Sequence, residues 1–308
     1  MSKLNLKSQH TINWGLLLFF GLMTLTTIIG VPIYIYRHGI SAPNLALFIF
    51  WSVSTGMAIT VGYHRLFAHF SFKTNSLITF LCLFFGSAAF TSSAIRWVAQ
   101  HRDHHIYLDR EGDPYNINEG FFNAYIGWIW FRVHRFNYYN AKVLIKSKLM
   151  RHQCRYYMLW FFVAGIIIPT LSGLLTNSLW GSFLLNVVAR MTFINHCSFV
   201  VNSVCHSFGK TTYSTSTSAR DFWPAAFVTY GEAYHNFHHR FPTDYRHGVR
   251  WYDWDPSKWL IATLAFLGLA WDLKRVPDAQ IEMAKRLAEK ESADKDQARF
   301  LRDSLHRA

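Results

Sequence analysis

Two histidine triplets in this chain share one spacing, and both have the chemistry of metal ligands. In each triplet the second and third histidines follow the first by three and four residues. The first triplet is His101, His104 and His105, and the second is His235, His238 and His239. On an α-helix this spacing puts three imidazoles on one face, about 5–6 Å apart at Cβ. Neutral imidazole is the commonest protein ligand for transition metals. The repeated pattern therefore predicts a polyhistidine metal site, and the rest of the chain has to bring the two triplets together.

Three further histidines and one asparagine extend this set. His64 and His69 are five residues apart, which places them about 140° from each other on an ideal helix. They can converge only if the helix ends between them or if they flank two metal ions. His206 follows Asn202 by four residues, one turn further along the same helix face. The amide oxygen of Asn202 could then reach a metal directly or through a water.

Nine imidazoles in such groups exceed the donors that a single ion needs. One ion takes about four to six ligands, so the number predicts two ions. No cysteine stands in these groups, which disfavours structural zinc, where thiolates are usual. Imidazole suits iron, copper, nickel and zinc alike, so ligand type alone does not identify the metal. The four cysteines form no CxxC pair, and neither a disulfide framework nor a zinc ribbon is indicated.

The composition indicates one unit embedded in a lipid bilayer. Hydrophobic residues make up 51% of the 308 residues and charged residues only 16%, where soluble domains carry about 25% charged residues. The net charge of +13 does not indicate nucleic acid, because surplus Lys and Arg in membrane proteins collect in cytoplasmic loops facing anionic lipid. A basic surface also suits an acidic redox partner or a phosphorylated substrate head group.

Four apolar segments are long enough to cross a bilayer, which takes about 20 residues. They cover about 14–36, 45–63, 157–175 and 180–201. The first is too long for a signal peptide and lacks a cleavage site. The apolar segment 77–94 is expected to lie in the interface or to enter the membrane only partly, and the segment 259–271 to lie along the interface. We therefore predict an all-α integral membrane domain over 1–275, with four transmembrane helices in two hairpins and a cytoplasmic helical cap holding a dimetal site. Residues 276–308 are expected to form a charged, helical or partly disordered tail.

The basic segments orient this arrangement. An even number of spans puts both termini on one side, and the Lys and Arg of residues 1–12 and 132–155 make that side cytoplasmic. All histidine groups then fall on the same side, provided that segment 77–94 does not cross. A membrane metal transporter is disfavoured, because transporters place their ligands at mid-membrane, whereas these lie at the ends of the spans.

Three segments resemble the histidine boxes of the membrane acyl-CoA Δ9 (stearoyl-CoA) desaturases. They are His64-Arg-Leu-Phe-Ala-His69, His101-Arg-Asp-His-His105 and Tyr234-His-Asn-Phe-His-His239. Asn202-Ser-Val-Cys-His206 resembles the Asn-Ser-x-x-His element of that family. The similarity extends over roughly 45–275 and includes Gly112-Asp-Pro-Tyr, Gly127-Trp, Gly231-Glu, Phe241-Pro-x-Asp-Tyr and Leu267-Gly-Leu-Ala-Trp-Asp-Leu. The stretch Arg-Phe-Pro-Thr-Asp-Tyr-Arg-His-Gly is similar to the bacterial branch, which implies a bacterial inner-membrane enzyme.

The resemblance implies two iron ions that activate O₂ to remove two hydrogens from adjacent methylenes of a fatty acyl chain. Carried over box by box, it assigns to one iron His64, His69, His101, His105 and His239. It assigns to the other His104, His206, His235 and His238, with Asn202 acting through a water. Asp103 is expected to orient a neighbouring imidazole or to face water. An alkyl or lipid hydroxylase on the same scaffold is the alternative, although the form of the third box favours the desaturase.

The substrate of such an enzyme needs an apolar tunnel and a basic mouth. Candidates for the tunnel wall are Trp97, Phe90, Ser198 and Phe199, with ordinary core packing as the alternative. Arg132 matches a basic position in the family, and Arg135 is a second candidate for the head group. Val133 replaces a basic residue there, so the carrier of the fatty acyl thioester stays open between coenzyme A, favoured by the resemblance, acyl carrier protein and phospholipid.

Electrons for this reaction have to come from another protein. The sequence contains no haem, flavin or nucleotide-binding motif and no appended cytochrome domain. The resemblance implies a separate donor, either a cytochrome b5 or a ferredoxin with its reductase.

Overall fold

Four long apolar helices form the body of the molecule. The computed structural model describes residues 11–131 and 137–305. Within that part of the chain, the helices long and apolar enough to cross a membrane are Trp14–His38, Ala42–Ala68, Tyr157–Thr176 and Leu179–His206. Short connections join the first to the second and the third to the fourth. This arrangement confirms the predicted all-α membrane fold with two helical hairpins.

The second and fourth membrane helices continue beyond the predicted ends of their spans. They have 27 and 28 residues and are therefore about 40 Å long, whereas the hydrocarbon core of a bilayer measures about 30 Å. Hydropathy predicts only the apolar part of such a helix, because backbone hydrogen bonding carries on into polar residues. The additional turns bring His64 and His206 to the C-terminal ends of their helices.

π-Helical geometry interrupts each of the membrane helices. The π-helical stretches are Thr26–Gly30, Ala58–Ala68, Phe162–Ile167 and Phe183–Ala189. The stretch in the second membrane helix is buried along its whole length. At its end the backbone N–H of His69 donates to the carbonyl of His64 over 3.1 Å. Because this i→i+5 bond closes a wider turn than an α-helix does, five residues return the chain to the same side.

The apolar helix that follows the second membrane helix is too short to form a further span. Ser76–Ser87 has 12 residues and is about 18 Å long, which is too short to span. The chain then reverses through Phe90 and Ser92, both with positive φ, into the helix Ala94–Tyr107. Buried Arg190, from the fourth membrane helix, donates to the carbonyl of Ala88 over 2.8 Å and fixes this reversal.

Shorter elements form a cap around the inner ends of the membrane helices. The short helices are Ile117–Glu119, Asn123–Gly127, Trp128–Trp130, Tyr138–Ala141, Lys142–Ile145, Lys148–Arg155, Trp223–Ala226 and His235–Arg240. The helix Pro256–Phe266 ends before Gly268, whose φ is +72°. Strand Ala270–Trp271 then pairs antiparallel with Lys73–Thr74. The predicted apolar segment 259–271 is therefore part helix and part strand.

The charged tail forms the helix Asp278–Leu305 and packs against the cap. Its inner face buries Ile281, Ala284 and Ala288. On the outer side Lys295 Nζ donates to the carbonyl of Thr215 over 3.0 Å. This helix therefore supports the loop that precedes the third histidine box.

Gly62→Ala tests the close packing of the second membrane helix. A Cβ at position 62 would lie 2.6 Å from Cys82 Cβ, whereas a Cβ at Gly21 would have nothing within 4 Å. We expect Gly62→Ala to lower the free energy of unfolding by about 1–3 kcal/mol, the usual effect of overpacking. Gly21→Ala is the matched control and should leave it unchanged or slightly raised. Thermal unfolding in detergent micelles measures both, and equal midpoints would contradict the packing described.

Candidate dimetal site and apolar cavity

Nine imidazoles from four elements meet between the membrane helices and the cap. The first group contains His64, His69, His101, His105 and His238. The second group contains His104, His206, His235 and His239. Within each group the nitrogens that could bind a metal all lie within 4.8 Å of one another. The structure thus brings together all the histidines that the sequence nominates.

Nitrogen atoms face each other closely inside both groups. His69 Nε2 lies 2.8 Å from His101 Nε2, and His64 Nε2 lies 3.1 Å from His238 Nε2. In the second group His235 Nε2 lies 3.0 Å from His206 Nε2. Neutral imidazoles have only one N–H each, so several converging Nε2 atoms present lone pairs to a common point. A cation at that point satisfies all of them.

The two box helices exchange histidines between the groups. Helix Ala94–Tyr107 gives His101 and His105 to the first group and His104 to the second. Helix His235–Arg240 does the reverse, because His235 and His239 belong to the second group and His238 to the first. In each helix the two histidines at i and i+4 therefore belong to one group, and the histidine at i+3 belongs to the other.

The family-based assignment of His238 and His239 is wrong in this respect. It placed His239 in the first group and His238 in the second, whereas the distances require the opposite. His238 Nε2 lies 3.0 Å from His105 Nε2, and His239 Nε2 lies 3.0 Å from His235 Nε2. On a helix the i+4 residue is rotated by about 40° from the first and the i+3 residue by about 60° in the other direction. His235 therefore pairs more closely with His239.

A buried charged network holds His64 from behind. Glu232 Oε2 lies 2.5 Å from His64 Nδ1 and 3.2 Å from His247 Nδ1. Its other oxygen accepts from the guanidinium of Arg65 over 3.1 Å, and Arg65 also donates to Asp255 over 2.9 Å. Burial opposes ionisation of Glu232, but His247, His64 and Arg65 outweigh it and hold its pKa well below the ordinary value. The carboxylate can therefore accept the Nδ1–H of His64, which directs Nε2 toward the first group.

Two further partners orient histidines of the second group. His104 Nδ1 lies 2.8 Å from Asp113 Oδ1, and His206 Nδ1 lies 2.7 Å from Ser218 Oγ. Ser218 in turn donates to Asp109 through its backbone N–H and its hydroxyl. These contacts fix each imidazole with its Nε2 toward the group.

Asp103 is buried within the helix of the second box. It accepts a hydrogen bond from Asn140 Nδ2 over 2.5 Å. The expectation that it faces water is therefore wrong, because the segment that begins at Tyr138 covers it. Asp113, from the predicted Gly-Asp-Pro turn, is the carboxylate that contacts His104.

Burial keeps the imidazoles uncharged. Removal from water is the larger cause, and repulsion between neighbouring histidines is the second. Together they lower the pKa of six imidazoles well below the ordinary value: those of His69, His101, His105, His235, His238 and His239. A neutral imidazole has the free lone pair that a metal ion requires. The electrostatics of the site therefore favour metal binding at neutral pH.

The donor set fits two transition-metal ions. His104 shows this most directly, because its Nδ1 is bonded to Asp113 while its buried Nε2 has no hydrogen-bond partner. An unpaired buried polar atom is costly unless something satisfies it, and a metal ion bound by the second group would do so. Five donors in the first group and four in the second match the coordination numbers of such ions.

An apolar cavity of about 530 Å³ borders both histidine groups. His64 and His101 of the first group line it, as do His104 and His235 of the second. It follows the second membrane helix from His64 back to Gly56, about 12 Å along the axis. At Gly56 the ring of Tyr230 lies so close that an added Cβ would be 2.3 Å from it.

The residues predicted for a tunnel wall line this cavity. They are Trp97, Phe90, Ser198 and Phe199, and Asn202 lines it as well. The indole of Trp97 stacks on the imidazole of His101, with ring centroids 4.9 Å apart and planes 11° apart. The predicted head-group residues Arg132 and Arg135 lie outside the described residues. Among the described residues, Arg96 is the one basic side chain of the lysine or arginine type that lines the cavity. Its position directly before Trp97 could have indicated this from the sequence.

The motifs Gly231-Glu and Gly112-Asp-Pro-Tyr contain two of the partners behind the histidines, Glu232 and Asp113, but the motifs alone assign neither residue a role. Glu232 stands in the turn directly before the helix of the third box. Asp113 stands in a Gly-Asp-Pro turn after the second box. His247 carried no such signal, because it lies eight residues after His239 and outside every box.

The fold and the site define a helical membrane protein with a buried polyhistidine centre beside an apolar cavity. A model of the fatty acid desaturase family matches residues 41–274. This match covers most of the chain and includes all three boxes. The chain therefore belongs to the fatty acid desaturase family, as the motifs predict.

Several curated proteins are similar over most of this chain. A probable acyl-CoA desaturase of Schizosaccharomyces pombe is 34% identical over 275 residues, covering 88% of this chain and 56% of that protein. Acyl-CoA desaturase 1 of Saccharomyces cerevisiae is 33% identical, covering 96% of this chain and 58% of that protein. The chain thus spans little more than half the length of these two relatives. An sn-1 stearoyl-lipid 9-desaturase of Anabaena variabilis is 31% identical, covering 87% of this chain and 96% of that protein.

Glu232→Gln tests the network behind His64. The substitution keeps the shape of the side chain but removes the charge that the Nδ1–H of His64 and the guanidinium of Arg65 require. We expect metal affinity to fall about 10–100-fold, the usual effect of losing such a partner. The amount of bound metal retained against a graded chelator measures it. Glu289→Gln, at an exposed position of the last helix, is the matched control, and equal retention in both variants would contradict the assigned role.

Proposed function

We propose that this protein is an O₂-dependent fatty acyl desaturase that inserts a cis double bond, at Δ9, into a saturated acyl chain. The observation that carries the proposal is the position of the cavity, because one apolar space contacts both histidine groups. A saturated chain has no polar group to bind, so only an apolar channel of this kind can present its methylenes to a metal centre.

Two iron ions are the proposed cofactors. The first group would hold one ion with His64, His69, His101, His105 and His238. The second group would hold the other with His104, His206, His235 and His239, and with Asn202 through a water. When bound, the iron pair supplies the O₂ activation that cleaves unactivated C–H bonds. All nine histidine donors are neutral. The carboxylates of Glu232 and Asp113 would not bind the ions themselves but contact Nδ1 of His64 and His104 and so orient these two rings.

The protein's own part in the reaction is to position the chain and keep water out. The cavity walls are mostly apolar, and Phe90 and Phe199 line it beside the histidines. Trp97 fixes the plane of His101 by stacking on it, so the ring that borders the cavity cannot turn away. Excluding water confines the reactive centre to the one pair of methylenes that lies beside it.

Coenzyme A is the proposed carrier of the acyl chain. The two yeast relatives are named as acyl-CoA desaturases, whereas the Anabaena relative is named for a stearoyl lipid and for position 9. The cationic residue at the cavity, Arg96, suits a phosphate-bearing carrier, and Arg132 and Arg135 are proposed to contribute to the same head-group site. Acyl carrier protein and phospholipid are the competing carriers that an assay has to separate.

The proposed setting is a bacterial inner membrane, with both termini and the histidine groups on the cytoplasmic side. The basic segments of the sequence support that orientation. A cytochrome b5 or a ferredoxin with its reductase is proposed to supply the electrons.

Expression in a host that lacks a desaturase, followed by fatty-acid analysis, tests the proposed function. A new cis double bond at Δ9 is the expected result. A hydroxy acid would instead support the hypothesis of an alkyl or lipid hydroxylase. Purified protein given an acyl-CoA, an acyl carrier protein thioester or a phospholipid then identifies the carrier. Unchanged lipids in the presence of an active electron-transfer chain would refute the proposal.

A further inference from the structure

A second opening reaches the histidine groups from another side. It has a volume of about 380 Å³ and is lined by His69 and His105 of the first group. The apolar cavity is lined by His64 and His101 of that group and shares no lining residue with the second opening. In the described part of the chain, the first group is therefore accessible by two separate routes. The apolar cavity suits the acyl chain. The second opening then has no assigned function.

The chemistry at the second opening is unlike that of the apolar cavity. Phe70 and Ile106 present 38% and 48% of their surface to solvent, and both line the opening. The guanidinium of Arg102 lies 4.8 Å from the centre of the Phe70 ring. It also donates to the carbonyls of Ala68 and Asn140, over 2.8 and 2.6 Å. A small apolar centre is thus held rigidly beside two histidines of the first group.

Exposed cationic residues stand close in sequence to the residues that line this opening. Arg110 donates to the carbonyl of Ile106 over 2.8 Å, and Arg240 and Lys142 are exposed two residues from Pro242 and Asn140, which line the opening. The nearby carboxylates do not cancel this charge. Asp103 is buried and bonded to Asn140, and Asp244 is buried against Arg246 over 2.8 Å. Exposed Glu111, directly after Arg110, offsets one of these charges, and the three exposed cations still leave a net positive charge at the rim.

We propose that the second opening is the docking site of an acidic one-electron carrier protein, which delivers electrons through the imidazole edges of His69 and His105. The inference rests on the proposed function. Desaturation consumes one O₂, two electrons and two protons for each CH₂–CH₂ converted to CH=CH, with release of two waters. The two electrons have to arrive one at a time from outside the chain. A small apolar patch with a charged rim is typical of brief encounters between redox proteins.

The arrangement also keeps the two substrates apart. Trp97 and His101 line the acyl cavity, whereas Arg102 and His105 line the second opening, and all four lie on the helix Ala94–Tyr107. A carrier protein at the second opening would therefore leave the acyl cavity unobstructed. Electron delivery and acyl binding can then proceed in either order.

Binding of an oxidised carrier protein to the full-length chain in lipid nanodiscs tests this proposal without turnover. The probes are an acidic [2Fe–2S] ferredoxin and the soluble haem domain of a cytochrome b5, with a basic cytochrome c as negative control. The triple variant Arg110→Glu, Lys142→Glu and Arg240→Glu should weaken the binding of the acidic carrier about tenfold or more at low salt. The loss should shrink as ionic strength rises, because salt screens surface charges.

A second triple variant is the matched control. Lys290→Glu, Arg299→Glu and Arg302→Glu make the same change of charge at exposed positions of the last helix. They should alter binding by no more than about twofold, as expected for charges outside the interface. The charge-conserving variant Arg110→Lys, Lys142→Arg and Arg240→Lys should keep the affinity. Equal losses in both charge-reversed proteins, or equally tight binding of the basic cytochrome, would overturn the proposal.

Cross-linking locates the contact directly. Thr243 lines the opening and is exposed, whereas Ser292 lies on the last helix. A photo-reactive label on Thr243→Cys should cross-link the acidic carrier, and the same label on Ser292→Cys should not. The reverse pattern would place the docking site elsewhere. Charge-dependent binding without any desaturation in the expression test would refute the proposed function and leave the docking site standing.

Discussion

His238→Ala is expected to remove all detectable unsaturated product. His238 is fully buried, and its Nε2 lies 3.1 Å from His64 Nε2 and 3.0 Å from His105 Nε2. It therefore connects the first and second boxes to the third. Loss of a partner that only orients a ligand lowers affinity or activity about 10–100-fold, so loss of a ligand itself should exceed about 100-fold. Fatty-acid analysis of the expressing host measures the product.

The control for this variant is a histidine outside both groups. His38 is exposed at the end of the first membrane helix, and His38→Ala should retain full product. Both proteins should accumulate to similar levels in the membrane fraction. Normal product from His238→Ala would refute the proposed ligand set.

The exchange of histidines between the box helices predicts different iron contents for two double variants. His235→Ala with His239→Ala removes two donors from the second group and none from the first. One iron per chain should then resist a chelator as in the unmodified protein. His235→Ala with His238→Ala instead removes one donor from each group. Both ions should become labile, because neither group keeps its full donor set.

Iron per chain, determined after graded chelator treatment of the purified proteins, distinguishes the two outcomes. The family-based assignment predicts the opposite pattern, since it puts His235 and His238 on the same ion. Chelator-resistant iron in the second variant but not in the first would therefore contradict the grouping seen here.

The helices, the residues that line the cavity and the histidines that the structure groups could be nominated from local patterns. The spans follow from hydropathy alone, and the spacing of His101 and His105 marks one helix face. Trp97 and Phe199 could be nominated because they adjoin these elements in sequence. Each of these inferences needs only residues within a few turns of one another.

Other features depend on geometry that the sequence does not carry. His64 and His69 meet because the second membrane helix is π-helical there, and an ideal α-helix would separate them. The partition of His238 and His239 depends on how one short helix is rotated relative to another. His247 reaches Glu232 through the tertiary fold, with its position set by backbone donation from its own N–H to Asp255 over 2.8 Å.

The exchange between the box helices also constrains how this protein can change over generations. One residue inserted between His101 and His104 would rotate the helix beyond it by about 100°, which moves His104 of the second group and His105 of the first. The same holds for an insertion between His235 and His238. An insertion in either helix therefore disturbs both groups together, whereas substitutions such as those at His235 and His239 can disturb one group alone.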